Sequence, residues 1–389
     1  MEQQTIRKTY KCKLKPTPQQ ARELGRVLGL CRSLYNTALD QRIVAFRRAG
    51  VSPSRYQQEA ELKDTRAVML ECAAIHSHVL QDALARLDKT YQAFFRRVRA
   101  GEKAVFPRYQ SRERWHSFTY TEFGNGATLD SGFLVLSKVG RIAVRWSRPI
   151  AGTPKTVTIS WEADGWYLCC SCVDVSVHPL PPTSQETGVD LGMEAFAPFS
   201  DGTRTFSPGW YRKAGRELKT AQRRVSRRKK GSSRQRKAIN LLAKAHQKVR
   251  RQRQDFHQKT ALQLVRTNET IYHEDLRVAN MVRNHQLAKS IQDAGWAAFL
   301  TILSFKAECA GGSVAAVPPV YTSQRCSGSG CGRMVWKDVS VRWHHCPYED
   351  CGTHLHRDHD AARNMEGAGR TLRVGAGVLA SGNRASVGP

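Results

Sequence analysis

The sequence predicts an α+β multidomain protein. A β-barrel-like domain is interrupted by a helical insertion, and an α/β domain carrying an inserted four-cysteine ribbon follows it. Three observations predict this. The period of the apolar residues switches from 2 to 3.6 and back to 2 across residues 1–178. From residue 186 onward, short apolar strands alternate with long helical stretches. Within 320–352, Cys326, Cys331, Cys346 and Cys351 form two regularly spaced knuckles. At 389 residues the chain is long enough for two or three compact domains.

Taken in order, Tyr10, Cys12 and Leu14 alternate with Lys11, Lys13 and Lys15, a half-buried strand stopped by Pro16. A helix starts at once: Thr17 is its N-cap, Pro18 suits the first position, and Gln20 completes a capping box. Leu24, Val27, Leu28, Cys31, Leu34, Tyr35 and Ala38 then recur at helical spacing. A second such run from Leu80 to Val98 reaches about Ala100 and is ended by Gly101, so residues 17–104 form a helical block. Residues 117–173 return to alternation, clearest in Val157, Ile159 and Trp161 and, across an Ala-Asp-Gly turn, in Trp166, Leu168, Cys170 and Cys172. The first strand is expected to join this β unit. One β-rich domain therefore spans 1–16 and 105–178, with 17–104 inserted into it. Residues 179–185 read as a linker.

The second domain covers 186–319 and 353–370, with the ribbon of 320–352 between its two parts. It opens on a short strand at Thr187 to Leu191, continues through two basic helical stretches, and adds a strand at Thr270 to His273 and a helix from about Ser290 to Ala310. The second basic stretch keeps Leu242, Val249 and Phe256 at heptad spacing, which packs one face and exposes the other. Residues 371–389, rich in Gly, Ala and Ser, are expected to be disordered.

Charge points to a polyanionic partner. Lys and Arg number 62 against 33 Asp and Glu, a net charge of +29. Between Tyr211 and Thr260 there are 19 basic residues and only Glu217 and Asp255 as acids, so Arg223, Arg224, Arg227 and Arg228 are candidate phosphate contacts. No apolar run approaches the roughly 20 residues of a spanning helix, and Met1 to Arg7 has no signal-peptide pattern. A cytoplasmic protein with no membrane partner is expected. In that compartment, 11 cysteines argue against a disulfide framework. Two Cys-x4-Cys knuckles suit one structural, tetrahedral Zn²⁺, with His344 and His345 as possible substitute ligands.

Three acidic residues have the placement that metal-assisted phosphodiester cleavage needs. Asp190 stands at an apolar strand end in Gly188-Val189-Asp190-Leu191-Gly192, where a lone carboxylate is costly unless paired or metal-bound. Glu274 ends the strand Ile271-Tyr272-His273 and is followed by a second acid, Asp275. Asp358 opens a helix in His356-Arg357-Asp358-His359-Asp360-Ala361-Ala362-Arg363-Asn364. Asp360 is a competing or tuning carboxylate, whereas His354, His356 and His359 read as polar loop residues beside the ribbon.

The order and wording of these segments resemble the TnpB family of RNA-guided nucleases, encoded by insertion sequences, and the related compact type V CRISPR effectors. The resemblance runs from Tyr10-Lys11-Cys12-Lys13-Leu14-Lys15-Pro16 to Ala361-Ala362-Arg363-Asn364-Met365. It departs at His356 and Asp360, where the family has Asp and Asn, and in the two knuckles, each two residues longer than usual. The resemblance implies a wedge domain with a recognition insertion and a RuvC-type, ribonuclease H-like nuclease domain. It makes Asp190, Glu274 and Asp358 the ligands of two Mg²⁺ ions, and guide RNA and double-stranded target DNA the partners, in the bacterial cytosol. Contacts to a short motif flanking the target are expected in the wedge and insertion, with Tyr56 and Gln81 as candidates. A guided DNA-binding repressor without cleavage, or a transposase with a ribonuclease H-like core, are the alternative functions. Both a transposon and a CRISPR origin remain open on sequence.

Overall fold

The computed structural model describes residues 5–177, 179–338 and 340–382, with side chains through 373. The chain divides into two compact units, Met1–Ser176 and Val177–Pro389. Among the described residues, no helix is long and apolar enough to cross a membrane.

The first unit contains β1 (Thr5–Lys15), then α1 (Pro18–Ala49), α2 (Arg55–Ala60), α3 (Leu62–Val68), α4 (Leu70–Ala73) and α5 (Ser77–Arg99). It continues with β2 (Ser117–Tyr120), β3 (Ala127–Asp130), β4 (Phe133–Leu136), β5 (Gly140–Arg145), β6 (Thr153–Glu162) and β7 (Gly165–Ser176). These strands form one seven-stranded antiparallel sheet in the order β2-β6-β7-β1-β5-β4-β3, a curled half-barrel rather than a closed barrel. Residues inserted after β1 therefore separate a central strand from all its neighbours in sequence. Tyr10, Cys12 and Leu14 of β1 are buried, as their alternation requires. The Thr17 hydroxyl accepts from Gln20 N–H at 3.2 Å while the Gln20 side chain accepts from Thr17 N–H at 2.9 Å, so the capping box forms as read. Leu24, Val27, Cys31 and Tyr35 of α1 are buried, as are Val79, Leu80, Leu84 and Leu87 of α5, the helix it packs on.

The second unit runs β8 (Glu186–Val189), β9 (Ala197–Pro198), β10 (Arg204–Thr205), α6 (Trp210–Lys213), α7 (Gly215–Ser226), α8 (Ser233–Thr267) and β11 (Thr270–Glu274). After it come α9 (Val278–Met281), α10 (Ala288–Ala294), α11 (Trp296–Ala310), β12 (Ser313–Val317), β13 (Trp343–His345), β14 (His354–His356) and α12 (Arg357–Gly382). Strands β12, β11 and β8 form a parallel sheet with β11 central, and the antiparallel β9–β10 hairpin reaches β8 through a bridge between Val189 and Phe199. Alternation along the strands sorts the two faces. Val189 and Ile271 join Phe196, Leu264, Trp296, Phe299 and Leu303 in a core shared with α8 and α11. On the opposite face Tyr272 packs with Ala361 and Met365 of α12.

Helix α12 lies unusually close to the sheet. A Cβ on Gly188 would stand 1.8 Å from the Ala362 carbonyl oxygen, and one on Gly369 would stand 2.1 Å from the Tyr272 ring. Glycine lets the strand and helix backbones touch at the first place and lets the helix backbone lie against the Tyr272 ring at the second. The helix also continues through Gly382, so residues 371–382 are helical where the sequence reading expected a disordered tail; 383–389 lie outside the described residues. Once the packed first turns have formed, each added residue gains a hydrogen bond at small cost, even in an Ala- and Gly-rich stretch.

These contacts set an expectation for two glycines in one unit. Gly188→Ala forces backbone against backbone and should cost at least about 3 kcal/mol, at the extreme of single substitutions. Gly367→Ala, in α12 with nothing within 4 Å of the added Cβ, should stabilise by about 0.5–1 kcal/mol. Denaturant unfolding of both variants checks the pair; equal stabilities would reject the close contact.

Candidate active site and metal centres

The pleat that faces Gly188 and Tyr272 toward α12 carries two residues further to Asp190 and Glu274, so both carboxylates leave the C-terminal ends of adjacent parallel strands on the α12 side. Asp358 meets them from the first turn of α12. Its Oδ2 lies 3.8 Å from where a Gly192 Cβ would stand, next to the loop that follows Asp190. That loop is held by Asp190 N–H donating to the Pro198 carbonyl at 3.1 Å and by Ser200 N–H donating to the Gly188 carbonyl at 3.1 Å.

The structure therefore brings together three acids widely separated in sequence. Burial pushes the Asp190 carboxyl up to about 7; the negative charges of Asp358 and Glu274 push in the same direction, and Arg357 opposes them. Desolvation also raises Glu274. Asp275, the neighbouring acid, is exposed, and its N–H donates to the Val317 carbonyl at 2.9 Å. Only Glu274 of that pair is turned toward the site.

A second constellation overlaps the first. Among the described residues, ligand atoms of Glu194, His356 and Asp358 all lie within 4.8 Å of one another. His356 is buried and not the polar loop residue that the sequence reading made it. Its Nδ1 accepts from Asp358 N–H at 3.3 Å, the bond of an N-cap side chain, and its Nε2 lies 3.9 Å from Glu194 Oε1. The missed signal is positional: His356 stands two residues before Asp358, where a capping acceptor belongs. Glu194 carried no sequence signal.

The four cysteines converge. Cys326 and Cys351 sulfurs are 3.6 Å apart, Cys331 and Cys346 sulfurs 3.8 Å, and all four lie within 4.8 Å of one another. Tetrahedral sulfurs about 2.3 Å from a zinc ion would be separated by about 3.8 Å, so the donor set fits that ion. Each knuckle closes with a Cys-Gly step, Gly332 at φ 57 and Gly352 at φ 59, a left-handed conformation suited to glycine. A side chain on Gly328 would meet the Thr353 hydroxyl at 2.2 Å and the Cys351 sulfur at 2.7 Å, so the first knuckle can wrap only without one. Hydrogen bonding from Thr353 pulls the Cys351 thiol down to about 6, favouring the thiolate a metal needs. Among the described residues the remaining cysteines form no disulfide: Cys12, Cys31, Cys72, Cys170 and Cys172 are buried, and Cys169 and Cys309 are half-buried.

Asp360 does not enter the acidic site. It is fully buried, and its carboxylate accepts from Ser327 N–H at 2.8 Å and from Lys337 Nζ at 2.8 Å. Elsewhere, Arg223 and Arg224 are exposed on α7, with Arg227 and Arg228 exposed just after it, while Leu218 of that helix is buried. Gln247, Val249 and His257 sit on the buried face of α8. Tyr56 is 77% exposed on α2, and Gln81 is half-buried on α5.

A pH dependence follows from Asp190. Its carboxyl is raised in the folded chain from an ordinary 3.8 to about 7, so the folded state binds more protons than the unfolded state between those values. The resulting stability is full below the lower value and is lost as pH rises through the upper one. In metal-free protein, Asp190→Asn should raise the melting temperature at about pH 8 and change it little at about pH 4. Equal shifts at both pH values would show that the carboxylate is not held against burial and like charge.

Sequence comparisons agree with this architecture. Family models match residues 170–285 ("Probable transposase"), 296–365 ("Cas12f1-like, TNB domain") and 1–50 ("Helix-turn-helix domain"), although residues 5–49 here form one strand and one long helix. A "Putative RNA-guided DNA endonuclease" of Streptomyces pristinaespiralis is 33% identical over 374 residues, covering 94% of this chain and 90% of that one. A "Putative RNA-guided DNA endonuclease InsQ" of Escherichia coli (strain K12) is 30% identical over 403 residues, covering 97% and 95%. In fold, the chain is similar to one in a Cas12f1-sgRNA-target DNA complex, with a TM-score of 0.59 at 13% identity, covering 93% of this chain and 99% of that one. It is also similar to the mini-RNA-guided endonuclease CRISPR-Cas_phi3, with a TM-score of 0.50 at 10% identity and 92% of each chain covered. At one-third identity over nearly its whole length, the protein belongs to the TnpB/Cas12f-like family of RNA-guided nucleases.

Proposed function

We propose that the protein binds a guide RNA, recognises a short motif flanking its target and cleaves double-stranded DNA at a RuvC-type site made by Asp190, Glu274 and Asp358. The observation that carries this is the convergence of the three carboxylates at strand ends and a helix start, with Asp190 raised by burial and by the other two. Cations bound among these acids would offset the burial and like charge that disfavour the ionised form of Asp190. The strand sequence, an antiparallel hairpin beside β8 followed by parallel β11 and β12, supports a ribonuclease H-like core.

Divalent cations bound there, expected as two Mg²⁺, supply water activation and charge neutralisation for in-line phosphodiester hydrolysis. The residues do the holding. Asp190, at the end of β8, feels the negative charge of both Asp358 and Glu274 and would share in holding the cations. Asp358 sits in the first turn of α12, where the positive end of the helix favours a carboxylate. Cys326, Cys331, Cys346 and Cys351 hold one structural Zn²⁺, with all four positions filled by protein and none left for chemistry. Arg223, Arg224, Arg227 and Arg228 contact nucleic-acid phosphates from an exposed face that has its apolar side packed away. Tyr56 and Gln81 are proposed to read the flanking motif, in keeping with the exposure of Tyr56.

Asp190→Ala, Glu274→Ala and Asp358→Ala should each reduce guided cleavage by more than about 100-fold, beyond what losing an outer-shell partner costs, while guide and target still bind. Cleavage at the wild-type rate by any of them would remove that residue from the site. Metal analysis should find about one tightly held Zn per chain.

Replacing Arg223, Arg224, Arg227 and Arg228 with Gln should weaken RNA binding alike across sequences. It should also flatten the salt dependence by about 0.7 per lost contact to a single strand. An unchanged slope in a folded variant would place the partner elsewhere. In a cleavage assay with randomised flanks, Tyr56→Ala and Gln81→Ala should alter motif preference.

A further inference from the structure

Two residues apart on α12, Asp358 and Asp360 point to opposite sides, since each helical residue advances by about 100°. Asp358 faces the strand ends, whereas Asp360 is sunk completely in the ribbon side. There the Asp360 carboxylate gathers separate parts of the ribbon. Ser327 N–H, from the first knuckle, donates to Oδ1 at 2.8 Å; Lys337 Nζ donates to Oδ2 at 2.8 Å and to His344 Nδ1 at 2.7 Å. The Lys337 side chain is 3% exposed, and those of Asp360 and His344 are 0% exposed. Lys337 is itself clamped at the backbone: its N–H donates to Gln324 Oε1 at 2.9 Å and its carbonyl accepts from Gln324 Nε2 at 3.1 Å.

A fully desolvated ion pair is a poor device for stability, because well-packed apolar residues do as well or better, but it tolerates only one geometry. It also sits one helical half-turn from a carboxylate whose direction matters. We propose that Lys337 and Asp360 are positioning residues: their buried pair fixes the rotation of the first turn of α12 against the ribbon and thereby aims Asp358 at Asp190 and Glu274. The ribbon acts on the acidic site through this pair and contributes no ligand to it. His359, whose ring Nε2 lies 3.0 Å from the Ser200 carbonyl, holds the other side of the same turn. This inference rests on the reading of Asp358 as a cation ligand.

The test uses the full chain carrying zinc, with two readouts. Mn²⁺ binding, followed by electron paramagnetic resonance, reports the acidic site. Hydrogen exchange of the amides from 358 to 364 reports the helix turn whether or not the site binds metal. Asp360→Asn and Lys337→Met should each weaken Mn²⁺ binding by about 10–100-fold, the usual effect of losing an outer-shell partner, and speed exchange in that turn while zinc content stays unchanged. The double variant Lys337→Met/Asp360→Asn leaves no unpaired buried charge and keeps an acceptor for Ser327 N–H, so it should bind Mn²⁺ more tightly than either single variant. Single variants that match wild type in Mn²⁺ affinity and exchange, or that melt earlier with both unchanged, would overturn the proposal. Asp190→Asn serves as the control. If it binds Mn²⁺ as wild type does, the reading of the acidic site fails, while exchange in the two single variants still decides whether the pair sets the turn.

Discussion

The carbonyl oxygen of Ala362 occupies the space that a side chain on Gly188 would need. Because the strand and helix backbones touch there, the first turns of α12 have a single depth and a single height against the sheet. Asp190 stands two residues beyond Gly188 on the strand, and Asp358 four residues before Ala362 on the helix. One contact thus sets the distance between two carboxylates that a looser packing would let drift apart. Ala361 and Met365 complete the seal against Tyr272 and Val317, and Gly369 repeats the close approach one strand over.

Such a site is held against its own electrostatics. Asp190 and Glu274 are desolvated, and Asp358 adds a like charge beside Asp190, so in the metal-free arrangement both carboxyls are raised above their ordinary values. The surrounding core offsets this cost. Phe196, Trp296, Phe299, Leu303 and Ile271 on the far face of the sheet leave the strand ends little freedom to separate. A cluster that destabilises the empty fold is the arrangement expected where binding, rather than stability, shaped the residues.

Almost every residue from Arg357 to Asn364 has a separate anchoring task. Arg357 donates to the Asp338 carbonyl at 2.9 Å, His359 lies against the Ser200 carbonyl, Asp360 takes Lys337, and Asn364 donates to the carbonyls of Thr322 and Arg325 at 2.9 and 2.8 Å. Those partners come from the ribbon and from the β9–β10 hairpin. One short stretch therefore ties three parts of the unit together around Asp358, and the ribbon works as its outer brace.

Much of this was legible in the sequence because it depends on local periodicity and short motifs. The period switch marked the helical insertion, Thr17 and Gln20 marked a helix start, the apolar strand end around Asp190 marked a carboxylate in need of a partner, and the knuckles marked a sulfur cluster. Each is decided by residues within a few positions of one another, so the chain itself determined them. The sequence could not decide which of two neighbouring acids faces a site or what a buried charge pairs with. The resemblance made Asp358 the ligand and left Asp360 as a competing or tuning carboxylate; in the fold Asp358 faces the strand ends and Asp360 pairs with a lysine 23 residues away. His356 read as a loop residue and is a buried cap. Residues 371–382, read as part of a tail, extend a helix whose earlier turns pack against strands distant in sequence. These outcomes turn on the rotation of α12 against the sheet and ribbon. That rotation is set by long-range backbone contact and desolvation, which exist only once the chain has folded.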